Sequence, residues 1–184
     1  GNGPTLHAGG VNRVARWSGS SWSDLGSGVN GLVNALTVFD DGSRETLCAG
    51  GEFEGLGGVA ASGVAAWDGS GWSRLGNEGG VNKAVRAMVA SDAVGPGGKA
   101  LYVGGEFTMV GDASINRVAR WDGSSWSPLG SGLDDTVHSL AVFDDGSGPA
   151  LYASGWFLTA GGQGAKRIAR WDGSSWSKLG SGLL

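Results

Sequence analysis

The sequence is short of most of what catalysis, metal binding and membrane insertion require. It holds one cysteine, Cys48, which excludes an internal disulfide framework. It holds two histidines, His7 and His138, too thin an inventory for a zinc centre or a copper site. Charged residues make up 16% of the chain and the net charge is −4. Without a basic excess, neither nucleic acid nor an anionic membrane surface is an expected partner. No apolar run is long enough to span a bilayer. No stretch combines a 3.6-residue apolar period with capping residues, so little helix is expected. There is no Asn-x-Ser/Thr sequon, and no Gly-x-Ser-x-Gly turn that would present a nucleophilic serine. The string GGQGAKR from Gly161 imitates a phosphate loop but lacks the Gly-Lys-Ser/Thr ending, so it reads as a plain loop. From these absences we expect no catalytic residues, no resident metal and no cofactor. The compartment is not set by them; an extracellular or cell-surface setting is the expectation.

What the chain has in excess is glycine and repetition. Glycine accounts for 38 of 184 residues, roughly three times the usual share. Hydrophobic residues reach 40%, enough for a packed core and too many for a disordered chain. RVARWSGSSWSDLG at Arg13 returns as GVAAWDGSGWSRLG at Gly63, RVARWDGSSWSPLG at Arg117 and RIARWDGSSWSKLG at Arg167. The leading tryptophans Trp17, Trp67, Trp121 and Trp171 stand 50, 54 and 50 residues apart. TLHAGG, TLCAGGEF, ALYVGGEF and ALYASGWF precede these in turn. A third family appears three times, as LVNALTVFDDG, AVRAMVASDAVG and TVHSLAVFDDG. The string GGEF at 50–53, which by itself suggests a cyclic-dinucleotide synthase, is thus one period of a repeat. It lacks the second acidic residue of that signature, and an active site would not be copied period by period.

Each full period reads as four short strands. In the second period these are Val33–Phe39, Leu47–Phe53, Val64–Trp67 and Trp72–Leu75, with a Gly-rich loop over 54–62. Asp40-Asp41-Gly42 and Asp68-Gly69-Ser70-Gly71 are turn signals, because Gly tolerates positive φ and Asp bonds its own backbone. Two adjacent carboxylates, as at Asp40-Asp41 and Asp144-Asp145, are read as turns and not as a calcium site. Four-stranded antiparallel units repeating at this period predict an all-β chain folded as a β-propeller, since one twisted sheet cannot bury both faces alone. The expected blades are 1–28 (incomplete), 29–78, 79–132 and 133–184, about 3.75 in all. The two tryptophans of each period should face each other across a tight hairpin. Arg16, Arg120 and Arg170 recur at one blade position, which predicts a structural role.

ALYVGGEF followed by RVARWDGSSWSPLG resembles the Kelch repeat. A strand ends in a Gly doublet, a variable loop follows, and two aromatics flank a turn. The Trp-Asp-Gly-Ser-Ser-Trp string is similar to the propeller repeats of fungal cortical cell-polarity markers and of large bacterial repeat proteins. The second aromatic lies five residues after the first, tighter than in most Kelch blades. The Gly-His dipeptide of WD-repeats is absent, and the sialidase Asp-box spacing is not met. The resemblance is specific for the fold and nearly silent on function; the expectation is a non-catalytic β-propeller, an interaction or display scaffold that binds through its loop face.

One position escapes repetition. Where two periods carry Glu52 and Glu106, the next carries Trp156. These residues sit at the mouth of the second-to-third-strand loops, on the face that also carries the connections between blades. Loops on a rigid scaffold carry function, so ligand binding is expected there, by Trp156, Glu52, Glu106, Asp134 and Asp135. The partner is a protein or, as the alternative, a glycan stacked on Trp156. Filling a gap between blades is the favoured role for that side chain, because large aromatics in such folds are mostly packing.

The chain opens Gly1-Asn2-Gly3-Pro4, and its first period begins at the second strand of the pattern. This reads as a piece of a longer array, or as a half that self-associates into a dimer with a ring of about eight blades.

Overall fold

The computed structural model describes residues 6–10, 13–76 and 79–182, with side chains described from Val14 onward. The opening Gly1-Asn2-Gly3-Pro4 and the side chain of His7 lie outside that range. Among the described residues there is no helix; every regular element is a strand. The first sheet has three strands, β1 (Leu6–Gly10), β2 (Arg13–Trp17) and β3 (Trp22–Asp24). The second contains β4 (Leu32–Asp40) and β5 (Glu45–Glu52), then a separate ribbon of β6 (Gly55–Leu56) and β7 (Val59–Ala60), then β8 (Val64–Trp67) and β9 (Trp72–Arg74). The third repeats this with β10 (Val85–Ser91), β11 (Ala100–Gly105), ribbon β12 (Met109–Val110) and β13 (Ala113–Ser114), β14 (Val118–Trp121) and β15 (Trp126–Pro128). The fourth has β16 (Val137–Asp144), β17 (Pro149–Gly155), ribbon β18 (Thr159–Ala160) and β19 (Gln163–Gly164), β20 (Ile168–Trp171) and β21 (Trp176–Lys178). All pairings within these sheets are antiparallel between successive strands, as in a blade.

The turns form for the reasons their residues suggest. Asp122 Oδ1 accepts from the backbone N–H of Ser124 and Ser125, both at 2.8 Å, and Gly123 takes φ +100°. Asp41 Oδ1 does the same for Ser43 and Arg44. The expected loop over 54–62 is corrected: it holds the ribbon of β6 and β7. Asn30 Oδ1, on the connection entering the second sheet, accepts from the N–H of Glu54 and Gly55 and fixes the ribbon in place. Asn82 accepts from Thr108 and Met109 in the third sheet, and Asp134 accepts from Leu158 and Thr159 in the fourth. A side-chain acceptor about 25 residues upstream of its ribbon is a tertiary contact, invisible to local pattern.

The core lies in three slabs between successive sheets. Val14, Leu25, Ala49 and Trp72 belong to the first slab. Phe39, Val85, Leu101 and Trp121 belong to the second, and Tyr102, Val137, Leu151 and Trp176 to the third. The close inter-sheet packing joins β1 to β4, β4 to β10 and β10 to β16, always neighbours in the chain. The first and fourth sheets make no comparable contact among the described residues.

Each joint is built from the same parts. The tryptophan pairs face each other in register, with ring centroids 5.2 Å apart for Trp121 and Trp126 and 5.4 Å for Trp171 and Trp176. In the second, third and fourth sheets the second indole of the pair crosses to the sheet before it. Trp72 Nε1–H donates to the Leu25 carbonyl at 3.0 Å, Trp126 to Leu75 at 3.1 Å and Trp176 to Leu129 at 2.9 Å. The glycine after each leucine makes room: a methyl group on Gly26 would lie 3.1 Å from Trp72, and one on Gly76 3.0 Å from Trp121. The Gly doublets are explained by two neighbours. A side chain on Gly50 would strike Val85 of the next sheet at 2.6 Å, and one on Gly51 would collide with the Leu32 carbonyl. Arg120 and Arg170 tie the third strand to the turn between the first two, through Gly97 and Gly148 carbonyls.

Candidate functional site

The connections between sheets and the three ribbons lie at one end of the array, where Val29 bridges Leu56 and Val81 bridges Val110. The turns at Asp40–Arg44 and Asp68–Gly71 lie at the other, joined by an Arg44–Asp68 ion pair of 3.2 Å. At the connection end, the first strand of each full sheet carries a β-bulge. The register shifts at Asn34 in β4, Arg86 in β10 and His138 in β16. A bulge re-aims the extra side chain out of the pleat. Each of these residues therefore stands beside the end of its neighbouring strand, where Glu52 and Glu106 follow Gly doublets and Trp156 follows Ser154-Gly155.

The structure brings the two sequence-predicted glutamates together through a residue that sequence reading passed over. Arg86 binds Glu106 of its own sheet and Glu52 of the sheet before it, each at 2.6 Å. The hydrogen bond to Glu106 leads the forces that raise the Arg86 guanidinium above its ordinary value. Asn34 Nδ2 donates to the Val85 carbonyl at 2.8 Å. In the fourth sheet the pair is aromatic: His138 meets Trp156 edge-on, with centroids 4.6 Å apart. Trp156 is 65% exposed. Among the described residues no sheet packs over that side of the fourth one, so Trp156 fills no gap between the sheets described. Leu158, two residues on, is also exposed.

Asp134 and Asp135 lie nearby, since Trp156 N–H donates to the carbonyl of Thr136. Asp134 is already committed. Burial works against its charge, but the amides of Thr159 and Leu158 outweigh it and hold the carboxyl below the usual range. Asp135 Oδ1 accepts from Thr136 at 2.6 Å and the residue is otherwise exposed.

Clefts open between the sheets on this face. One, of about 580 Å³, lies between the second and third sheets and is lined by Glu52, Glu54, Lys83, Glu106, Asn30 and Asn82. Another, of about 290 Å³, lies between the third and fourth and includes Arg117, Ser131, Asp134 and Thr159. Arg117 and Arg167 take φ of 65° and 73°, where the second sheet has Gly63 at 70°. Left-handed backbone at a bulky residue stores strain. Arg117 is held there by donating to the Glu106 carbonyl.

Cys48 is fully buried in β5, and burial pushes its thiol up to about 11, away from the reactive thiolate. No group of three or more potential metal ligands occurs among the described residues. Lone carboxylates engaged by backbone amides or by Arg86 offer ionic and hydrogen-bonding recognition. Comparison with protein-family models, with curated proteins and with solved structures gives no match for this chain.

Proposed function

We propose that the four sheets are blades of a Kelch-like β-propeller array, and that the chain is a non-catalytic scaffold binding a protein partner through its connection face. One observation supports this above the others. The repeat is conservative in every joint, yet the bulge row varies from sheet to sheet, as Asn34 with Glu52, Arg86 with Glu106 and His138 with Trp156. Constant joints with a variable row at one end are what a scaffold needs to present a specific surface. The row mixes ion pairs with one exposed indole, the residue types that anchor protein interfaces.

The test is a direct binding measurement with a purified partner first found by crosslinking on this face. Trp156→Ala or Arg86→Ala should weaken binding about tenfold or more, in the range of an interface anchor. Binding unchanged by both substitutions, but lost on changing Asp122 and Asp172 at the opposite end, would refute the assignment. The exposed Trp156 beside Asp135 supports a second reading, a glycan stacked on the indole with carboxylate taking its hydroxyls. A glycan array showing binding that Trp156→Ala abolishes would favour it.

A further inference from the structure

The joint between the second and third sheets and the joint between the third and fourth follow one plan, and one residue sets their clefts apart. Arg117 stands in the third sheet where Gly63 stands in the second. Their backbones agree, with φ of 65° and 70°. The Arg117 guanidinium donates to the Glu106 carbonyl, and the residue lines the cleft of about 290 Å³ that follows its sheet. Gly63 brings no side chain, and the cleft that follows the second sheet measures about 580 Å³. The smaller cleft thus has a guanidinium of the chain itself on its wall, and the larger has none from that position.

The charges around the larger cleft call for such a group. Glu52, Glu54 and Glu106 line it together with Lys83. Arg86 engages Oε1 of Glu52 and Oε1 of Glu106, so each carboxylate keeps Oε2 for a further donor. Glu54 is exposed, and its carboxylate forms no ion pair among the described residues. Three carboxylates against Lys83 and Arg86 leave one negative charge in excess. The two carboxylates come from neighbouring sheets and are already held by Arg86, so an incoming cation meets them without first having to order them.

We propose that this cleft takes an arginine side chain of the protein partner, whose guanidinium stands where Arg117 supplies one in the next joint. The proposal deepens the reading of the connection face as a protein-binding surface, and rests on it. A guanidinium suits the site better than an ammonium, because its planar fork gives two parallel hydrogen bonds to carboxylate oxygens. Arg86 spans both carboxylates with one guanidinium, each at 2.6 Å, so their spacing already matches that fork. The cleft volume lies within the roughly 300–1,000 Å³ of small-ligand pockets.

The test is amide-resolved nuclear magnetic resonance of the full chain at low salt, titrated with N-acetyl-arginine amide, a lone guanidinium on neutral ends. Amides of Glu54, Gly63, Lys83 and Glu106 should shift along a saturating curve. The N-acetyl-citrulline amide, of the same shape without the charge, should leave them in place. Glu106→Gln removes the excess charge and should abolish saturation. Gly63→Arg copies Arg117 into the second sheet and should also abolish it. Because that side chain must push aside a Val81 methyl 2.5 Å from its first carbon, Glu54→Gln at an exposed position serves beside it. That substitution should weaken the probe about twofold to fivefold, as loss of one exposed ion pair does. Equal shifts from the arginine and citrulline probes overturn the proposal, as does saturation that survives both Glu106→Gln and Glu54→Gln. The two readings fail separately. A partner that crosslinks to the connection face while the arginine probe moves none of these amides removes the arginine slot and spares the face. A probe that saturates here while no partner crosslinks to the face upholds the guanidinium site and sinks the protein-binding reading.

Discussion

Trp176 and Trp22 are the same residue of the same motif, and they live in different environments. Trp176 lies between the preceding sheet's Leu129 carbonyl and Gly161 of its own ribbon. Trp22 forms the same cross-hairpin pair and meets solvent over half its surface. Leu129 and Leu179 differ in the same way, one buried and the other half-buried. The motif therefore specifies a hairpin with two aromatic faces, and the neighbouring sheet decides whether that hairpin is core or surface.

The largest expected effect separates buried from open tryptophans. Trp121→Ala should cost on the order of 3–5 kcal/mol, as large core truncations do. Trp22→Ala should cost within about 1 kcal/mol, as exposed substitutions do. Denaturant unfolding of the two variants measures the difference, and equal losses would erase the distinction. Trp156→Ala belongs with Trp22, on the weak side.

A smaller effect is expected at the Gly doublets. Gly104→Ser would place a side chain against Val137 and Leu140, both within about 3.2 Å of the new atom. Overpacking of that kind costs about 1–3 kcal/mol. Ser154→Gly, at the same place on the open face, should leave the thermal midpoint nearly unchanged. A large loss from the second and none from the first would mean the sheet-to-sheet contacts are misplaced.

Removing only the indole N–H sharpens the comparison further. Trp176→Phe leaves the Leu129 carbonyl without that donor and should cost about 1 kcal/mol beyond any packing change. Trp22→Phe has no such bond to lose among the described residues. The difference between the two, by chemical denaturation, is the contribution of one inter-sheet staple.

The smallest effect is a pH dependence. Turn hydrogen bonds, led by Ser43 for Asp41 and by Ser147 for Asp145, hold both carboxyls down to about 2, from an ordinary 3.8. A depressed carboxyl stabilises the folded state above its unfolded value, and that stabilisation is lost as pH falls toward the folded one. Stability should thus be level near neutrality and decline from about pH 4 to about pH 2. Asp68 is held lower still, first by the Ser70 hydroxyl, and Asp122 and Asp172 by the amides of Ser125 and Ser175, which extends the decline. The first sheet has Ser18 at that place, bonded to Ser21 N–H at 3.2 Å. Amide resonances of Ser124 and Ser125 should titrate in acid, and those of Ser20 and Ser21 should not.

Much of the fold was legible because it is local and repeated. Alternating apolar residues, Asp-Gly turns and paired tryptophans five residues apart each encode their own hairpin, and four copies of the signal reinforce one another. The Gly doublet was legible as a place of close approach, without saying what approaches. The site was read only in part. Glu52, Glu106 and Trp156 stood out as a break in the repeat, but Arg86 did not, because a β-bulge is a matter of register between two strands. The ribbons were missed because Asn30, Asn82 and Asp134 act on amides far along the chain.

The sequence alone thus determined the strands, their turns and their period, since those follow from side-chain alternation and backbone preference within a few residues. Only the tertiary structure decided which tryptophan is buried, which carboxylates Arg86 joins, and which two faces are left open. Those depend on what a neighbouring sheet presents across a gap, and identical motifs carry no record of whether such a neighbour is there.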